Sequence, residues 1–305
     1  MKNDCITLLR LVRRDLEIFL KDRATVFFSL LSPLIVLLLY VLFLGKLQMD
    51  NLKAALQGMP ASQDAMQAFI DGWMLSGVMC VACITVAFSA NNIMVQDKAR
   101  GVLADMQASP VKRSVISLSY LLYNYLVTAV ICGIVLVVAL VYLAISGWYL
   151  SVADVFGLIG VTAFSILSSG SIGLIVLHRF RSEAALGGFI GILSAAIGFL
   201  CGAYFPLSAM PKGVQYAVLF VPGTYSACMF RHYFMRGALE KMTAAYPAAA
   251  PALQDGYSMT LEFWGGTIGF AEITGIFAVT VFAVAVIGLG GMFLARYRRT
   301  HGRAL

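Results

Sequence analysis

Apolar residues recur along the chain in six long runs that are separated by shorter polar segments. Each run has about the twenty residues that an α-helix needs to cross the hydrocarbon core of a bilayer. The pattern predicts an all-α integral membrane protein with six transmembrane helices, which form a single membrane domain over residues 1–305. The predicted spans cover residues 24–45, 72–95, 119–146, 153–177, 184–205 and 272–295.

Lysine and arginine are distributed unevenly between the alternate loops of this topology. Sixteen of the 22 lie on the side that holds both chain ends. Because loops rich in these residues stay in the cytoplasm, we expect both termini to be cytoplasmic, in a bacterial-type inner membrane or a plasma membrane. The outward loops are then 46–71, 147–152 and 206–271, and the basic cytoplasmic segments are 1–23, 96–113, 178–183 and the region that contains Arg296, Arg298, Arg299 and Arg303.

The residues before the first span have an amphipathic helical pattern. Charged residues fill most of the helical surface that the apolar side chains leave. We therefore expect residues 1–23 to form an interfacial helix on the inner leaflet. The alternative is an ordinary basic flank that only fixes the topology. The apolar face consists of Ile6, Leu9, Leu16, Phe19 and Leu20.

The segment after the fifth span contains two apolar pieces, 214–221 and 224–230, that are each too short to cross a bilayer. Pro222 and Gly223 separate them. Two short helices that dip into the outer leaflet would satisfy their own backbones and return the chain to the same side. We expect such re-entrant helices before the last span. The alanine-rich stretch that follows predicts an external loop or a short surface helix.

Composition agrees with a lipid environment, since 60% of the residues are hydrophobic and only 12% are charged. The net charge of +7 is divided among short clusters that flank the apolar runs, which is typical of membrane proteins and not of nucleic-acid binding. The six cysteines lie mostly within apolar runs, where small hydrophobic side chains are expected and a disulfide framework is not.

The sequence offers no catalytic, cofactor-binding or metal-binding constellation. It contains neither an HExxH zinc motif nor the GxxxxGK[ST] phosphate loop of an ATPase. The predicted spans hold almost no ionisable residues in their interiors, which disfavours coupling to an ion gradient. If the protein transports, its energy must come from a partner chain.

The loop between the second and third spans reads QDKARGVLADMQASPVKR, at residues 96–113. This segment resembles the coupling segment of the type-2 permeases of ATP-binding-cassette (ABC) exporters. The segments GAYFPL at 202–207 and VPGTY at 221–225 resemble the motif that follows the fifth span in the same family. The resemblance extends over essentially the whole chain. Ala104 departs from it, because many members have an acid there, and Asp105 is the expected replacement.

The resemblance implies that residues 96–113 form a short coupling helix that docks into a soluble ABC ATPase subunit. The implied coupling residues are Asp97, Arg100, Gly101, Leu103, Asp105 and Pro110. The alternative is a solvated loop that only sets the topology. The re-entrant motif is expected to include Phe205, Pro206, Pro222 and Gly223.

Small residues recur three or four positions apart along the fifth span, which predicts a smooth helix face. This face is either the seam with a second permease chain or the wall of the pathway, or it packs tightly within one subunit. Its members are Gly187, Gly191, Ala195, Gly198 and Gly202.

The expected function is that of a non-catalytic permease, paired with an identical or paralogous second permease and with two ATPase subunits that bind ATP and magnesium. The expected substrate is an amphipathic drug, peptide or lipid-like molecule. Export of a lipid-linked glycan is one alternative, disfavoured because no continuous aromatic stripe is visible in the sequence. The other is a membrane sensor or scaffold that binds an ATPase without transporting.

Overall fold

The computed structural model describes residues 2–56, 62–263 and 265–301, with side chains described as far as Gly288. Six described helices are long and apolar enough to cross a membrane, as predicted. The basic flank at 296–303 lies outside the described side chains, and residues 57–61 of the predicted outward loop 46–71 lie outside the described residues. The six candidate spans are Pro33–Ala55, Gln63–Ala99, Arg113–Ser146, Val152–Leu177, Glu183–Leu200 and Phe270–Gly288.

Helices account for nearly all the described secondary structure. Several begin at the side-chain caps that their sequences supply: Asp22, Ser62 and Ser182 each accept a hydrogen bond from the backbone of their helix, and Ser151 forms a capping box with Asp154. The helices are α1 (Lys2–Lys21), α2 (Arg23–Leu39), α3 (Gly45–Ala55), α4 (Gln63–Ala90), α5 (Asn92–Ala99), α6 (Val102–Ala108), α7 (Arg113–Ser146), α8 (Val152–Leu177), α9 (Glu183–Leu200), α10 (Lys212–Val218), α11 (Pro222–Met242), α12 (Ala250–Gly256) and α13 (Phe270–His301).

Helix α4 forms the centre of the fold. Every residue from Ala68 to Asn91 is buried, because α2, α3, α7, α8, α9 and α11 all pack against it. Its small residues allow this enclosure: a Cβ atom at Gly72 would lie 2.8 Å from the Phe234 carbonyl oxygen, and one at Gly77 would lie 2.9 Å from the Ala203 Cβ atom. Close approach at small residues is the usual way in which helices associate within membranes.

The outer helices expose large apolar side chains on the surfaces that face away from α4. Exposure of such a surface to water is unfavourable, whereas lipid solvates it. These residues include Val130, Ile134, Val138 and Val141 on α7, Val152 and Phe156 on α8, and Val279 and Phe282 on α13.

The first span contains a π-helical turn, Tyr40–Leu44, between α2 and α3. The Tyr40 hydroxyl group donates a 2.8 Å hydrogen bond to the buried carboxylate of Asp71, which also accepts bonds from Gln67 and Ser146. The helix continues to Ala55, so the predicted outward loop that starts at 46 begins with a further helix.

The fifth predicted span ends earlier than expected, since α9 stops at Leu200 instead of 205. Gly202 has a φ of +68°, a left-handed conformation that ends a helix and that glycine adopts without strain. The sequence pattern missed this end because the apolar composition continues through it.

The region 206–271 differs from the expectation of two short helices. Helix α10 is short, with seven residues, but α11 has 21. Pro222 stands in the first turn of α11, where proline is favoured. The helix continues beyond 230 because its buried face extends through Phe234, Met235, Leu239 and Met242.

A 3₁₀ turn and α12 occupy the alanine-rich stretch, and a small hairpin follows. Strands β1 (Leu261–Phe263) and β2 (Gly266–Ile268) pair antiparallel. These six residues are the described exception to the all-α prediction.

Gly237 should be essential for the packing of α11 against the segment between α7 and α8, because a Cβ atom there would lie 1.9 Å from the Tyr149 carbonyl oxygen. We predict that Gly237→Ala lowers the free energy of unfolding by about 2 kcal/mol, the usual cost of overpacking. Thermal unfolding in detergent, followed by circular dichroism, measures the change.

The matched control is Gly133→Ala in α7, where a Cβ atom would meet nothing within 4 Å. It should be neutral or slightly stabilising, because alanine is the better helix former. Equal stability of the two variants would contradict the packing at Gly237.

Candidate functional site

Gly101 makes the turn between α5 and α6. Its φ of +82° is left-handed, and its carbonyl oxygen accepts the first hydrogen bonds of α6 from Ala104 and Asp105. A short helix, Val102–Ala108, follows this glycine directly, within the segment 96–113.

Helix α6 has one packed face and one exposed face. Leu103 and Met106 pack against the core, whereas Ala104, Asp105, Gln107 and Ala108 are exposed. Of the predicted coupling residues, Asp105 is on the open face and Leu103 on the packed one.

Residues 109–112 end α6 and lead into α7. The Ser109 hydroxyl group donates to the Met106 carbonyl oxygen and accepts from the Val111 amide, and Pro110 is exposed. Lys112 forms a 2.6 Å ion pair with Asp4 of α1.

Asp97 is buried within the chain, whereas the resemblance implied that it contacts the ATPase subunit. Arg14 donates to both carboxylate oxygens of Asp97, each at 2.7 Å, and the Tyr120 hydroxyl group donates to Oδ2 at 2.7 Å. Bidentate pairs of this kind fix geometry as well as charge. Asp97 thus joins α1, α5 and α7, and its oxygens are already occupied.

A second carboxylate, Asp15, lies beside this pair and is 1% exposed. Arg14 Nη1 donates to it at 2.8 Å. Burial raises the pKa of Asp15 to about 7, because the effect of burial and of the nearby Asp97 charge outweighs the attraction of Arg14. Two acids therefore share one guanidinium group.

Arg100 contacts the start of α9 within the same chain. It donates to both oxygens of Glu183, at 3.1 and 3.4 Å, and stays 63% exposed. Lys98 donates to the His178 carbonyl oxygen at 2.6 Å. These bonds connect α5 with the end of α8 and the start of α9.

Sequence reasoning missed Arg14, Tyr120 and Glu183 as members of this site. Arg14 lies in the basic segment before the first predicted span, Tyr120 at the start of the third and Glu183 directly before the fifth. A charged or hydroxyl-bearing residue near a span end can be recognised in the sequence. The residue with which it pairs cannot be recognised in the same way.

A groove with a volume of about 800 Å³ lies between α2 and α9. Gly187, Gly191 and Ala195 of the predicted small-residue face line it, and nothing lies within 4 Å of a Cβ atom built at either glycine. Within one chain, this part of the face is therefore unpacked.

The other two members of that face pack within the chain. A Cβ atom at Gly198 would lie 2.3 Å from the ring of Tyr204, and Gly202 forms the turn that ends α9. The predicted face thus divides into an open part and a packed part.

The predicted re-entrant motif gathers at the end of α9 and the start of α11. Phe205 lines the groove and Pro206 precedes a 3₁₀ turn. Pro222 begins α11, and a Cβ atom at Gly223 would contact Ile84 and Cys201.

The buried guanidinium group of Arg231 holds this region together. Its Nη2 atom donates to the carbonyl oxygens of Cys201 and Gly202 at 2.9 and 2.6 Å, and Nη1 donates to that of Ser258 at 3.2 Å. A positive charge at a helix C-terminus is favourable, because it satisfies the last carbonyl groups and the helix dipole.

Among the described residues, no group of three His, Cys, Asp or Glu side chains could hold a metal ion. The candidate sites are the exposed face of α6 and the groove between α2 and α9.

This architecture defines a class of protein: a polytopic helical membrane domain that has an exposed segment between two helices at one end. The family model of the ABC-2 type transporter matches residues 7–235, which is well over half of the chain, so the protein belongs to the ABC-2 type transporter family. The chain is thus a transmembrane permease component of an ABC transporter, and such components normally work with ABC ATPases in a bilayer. No curated protein matches the chain significantly.

The Arg14–Asp97 pair should stabilise the attachment of α1. We predict that Asp97→Asn lowers the free energy of unfolding by about 2 kcal/mol, which is less than the usual cost of breaking a fully buried pair because Arg14 is 31% exposed. Hydrogen–deuterium exchange should also become faster in α1. Arg13→Gln, which removes the exposed pair of Arg13 with Glu17, should change neither quantity measurably. Equal effects of the two variants would contradict the assignment.

Asp15 should make stability depend on pH. The folded protein retains its carboxyl proton up to about pH 7, whereas the unfolded chain loses it near the ordinary value of 3.8. Stability should therefore fall as the pH rises from about 4 to 7 and then level off, by at most about 4 kcal/mol.

Thermal unfolding across this range tests the contribution of Asp15. Asp15→Asn should flatten the profile, whereas Glu17→Gln, a change of the same kind on the exposed face of α1, should leave the slope unchanged. The same slope in all three proteins would refute the contribution.

Proposed function

We propose that the chain is the permease subunit of an ATP-driven exporter, in which α6 docks into a separate ATPase subunit that binds ATP and magnesium. The observation that carries the proposal is the exposed face of α6, at Ala104, Asp105, Gln107 and Ala108, on a helix attached to a buried ion-pair junction. A short rigid element on a fixed base can transmit the movement of a partner.

The contacts of α5 support a mechanical route into the membrane. Helix α5 follows α4 almost without interruption, so that a displacement of α6 acts directly on the central helix. The Arg100–Glu183 pair adds a connection to α9. Both α4 and α9 line the groove, and its shape therefore depends on the position of α6.

The proposed orientation places both termini, α6 and the starts of α2 and α9 in the cytoplasm. The basic residues of 1–23 and 96–113 support it. Helix α1 then lies on the inner leaflet, with the exposed Ile6, Leu9 and Leu20 in lipid. The exposed Val214 and Phe220 support contact of α10 and the start of α11 with the outer leaflet.

A second permease chain, identical or paralogous, would face the groove and complete the pathway. The open space at Gly187 and Gly191 allows close approach of another helix. The largely apolar lining, with polar residues concentrated at one end, suits an amphipathic drug, peptide or lipid-like substrate moving outward.

One observation favours lipid-linked glycan export as the second candidate. Five aromatic residues from two separate parts of the chain line the groove. Four of them lie at its outer end, so the lining is not a continuous aromatic stripe and this candidate stays second. The residues are Phe28, Phe43, Phe199, Tyr204 and Phe205.

Co-expression with candidate soluble ABC ATPases, followed by purification through a tag on this chain, tests the proposal. An ATPase should co-purify with the original protein, and its recovery should fall at least about tenfold with Asp105→Lys plus Ala108→Trp on the open face of α6. Thermal stability should not change, because both side chains are exposed.

The control is Lys53→Asp, an equally exposed charge reversal on α3 beyond the first span. It should retain the ATPase. Capture that survives the α6 changes would refute docking at α6. An ATPase that co-purifies without substrate-dependent hydrolysis would favour the sensor or scaffold instead of the exporter.

A further inference from the structure

The polar residues of the groove are not distributed evenly along it. At the end where α2 and α9 begin, the lining consists of Asp22, Thr25, Ser89, Asn92 and Glu183. The middle is apolar apart from Ser194, and the far end is mainly aromatic. A groove of this form fits a molecule with a polar head and an apolar body, and its volume of about 800 Å³ is that of sites for drug-sized ligands.

The charges at the polar end have one sign. Asp22 and Glu183 both line the groove. The neighbouring bases Lys21, Arg23 and Arg181 do not line it, although span ends of this kind are rich in bases. Tyr204, at the other end, is the one further ionisable residue among the described lining residues.

Both acids can accept a further partner. The two oxygens of Asp22 accept bonds from the Thr25 amide at 3.0 Å and hydroxyl group at 2.7 Å, and these bonds keep the pKa of Asp22 below its ordinary value. Glu183 accepts from Arg100 in a pair that is 63% and 39% exposed, and a pair this exposed is weak.

Two uncharged side chains next to these acids are also available. Ser89 is 7% exposed, and its hydroxyl group makes no hydrogen bond to the described part of the chain. The side-chain amide group of Asn92 likewise makes no hydrogen bond among the residues that the structure describes. A buried hydroxyl group that lines a groove without a partner indicates a place for a ligand's polar atoms.

We propose that this end of the groove, formed by Asp22, Ser89, Asn92 and Glu183, binds the positively charged headgroup of an amphiphilic substrate, such as an alkylammonium or arylphosphonium cation. The carboxylates attract the cation, and the apolar middle holds its body. They also repel the anionic lipids that would otherwise fill a groove open to the bilayer. The inference deepens the proposed function by naming the charge of the substrate.

Two probes of the same shape and opposite charge test the proposal: radiolabelled tetraphenylphosphonium and tetraphenylborate. Binding to the purified chain is measured in nanodiscs of zwitterionic lipid, after subtraction of binding to empty nanodiscs. Tetraphenylphosphonium should bind saturably and tetraphenylborate should not. Equal binding of the two ions would overturn the proposal.

Two substitutions locate the charge. Asp22→Asn keeps a good helix cap, and Glu183→Gln keeps the side-chain shape. Together they should weaken tetraphenylphosphonium binding about tenfold. Glu17→Gln, which neutralises an acid outside the groove, should leave it unchanged. Unchanged affinity in the double variant would refute the role of the two acids.

Filling the groove locates the body of the ligand. Gly191→Trp should abolish binding without unfolding the protein, because the space around Gly191 is open. Gly133→Trp introduces the same side chain at another open position, on α7 outside the groove, and should retain binding. Retained binding in Gly191→Trp would place the cation elsewhere.

Competition distinguishes a free amphiphile from a lipid. Displacement by dodecyltrimethylammonium supports a substrate from solution, and displacement by a two-chain cationic lipid in the nanodisc supports one from the bilayer. Displacement by neither overturns the headgroup site. These assays need only this chain, so a failure to capture an ATPase would reject the proposed coupling and leave the groove result standing.

Discussion

The enclosure of α4 is the constraint on which the rest of the fold depends. A helix that is covered on every side cannot use the usual division into an apolar and a polar face. It contacts its neighbours closely at glycine, alanine, serine and cysteine, and elsewhere through large side chains such as Phe69 and Trp73. Gly72 and Gly77 admit the backbones of α11 and of the turn after α9. The other helices are therefore arranged around this one enclosed helix, and different segments of the chain pack at its two ends.

The two ends of α4 differ in how the nearby charged groups are paired. Near α6, Arg14 is shared by Asp97 and Asp15, and this junction is close to the surface, where titration can reach it. At the far end, Arg231 is fully buried, and its two Nη atoms donate to backbone carbonyl groups just after α9 and at Ser258, whereas its Nε atom has no partner in the described part of the chain. Removal of a buried charge from its partners is costly, so both arrangements fix the helix ends that they join.

Hydropathy was sufficient to predict the number of spans, because solvation by lipid acts on each segment separately. It was not sufficient where a contact between distant segments decides the outcome. The end of α9 depends on Gly202 and on Arg231, which comes 29 residues later, and Arg14 contacts Asp97 across 83 positions. For the same reason, the sequence indicated a short helix within residues 96–113 but did not distinguish the exposed Asp105 from the buried Asp97. Nor did it predict that aromatic residues from α2 and α9 meet in one groove.

The π-helical turn at Tyr40–Leu44 changes the phase of the first span. One additional residue rotates everything after it by about 100° relative to an uninterrupted α-helix. This rotation allows Phe28 and Ile35 to face the groove while Gln48 and Leu52, further along the same rod, are buried. A single-residue deletion within the turn would thus leave the helix intact and yet turn every side chain beyond that point by about 100° away from its present neighbours.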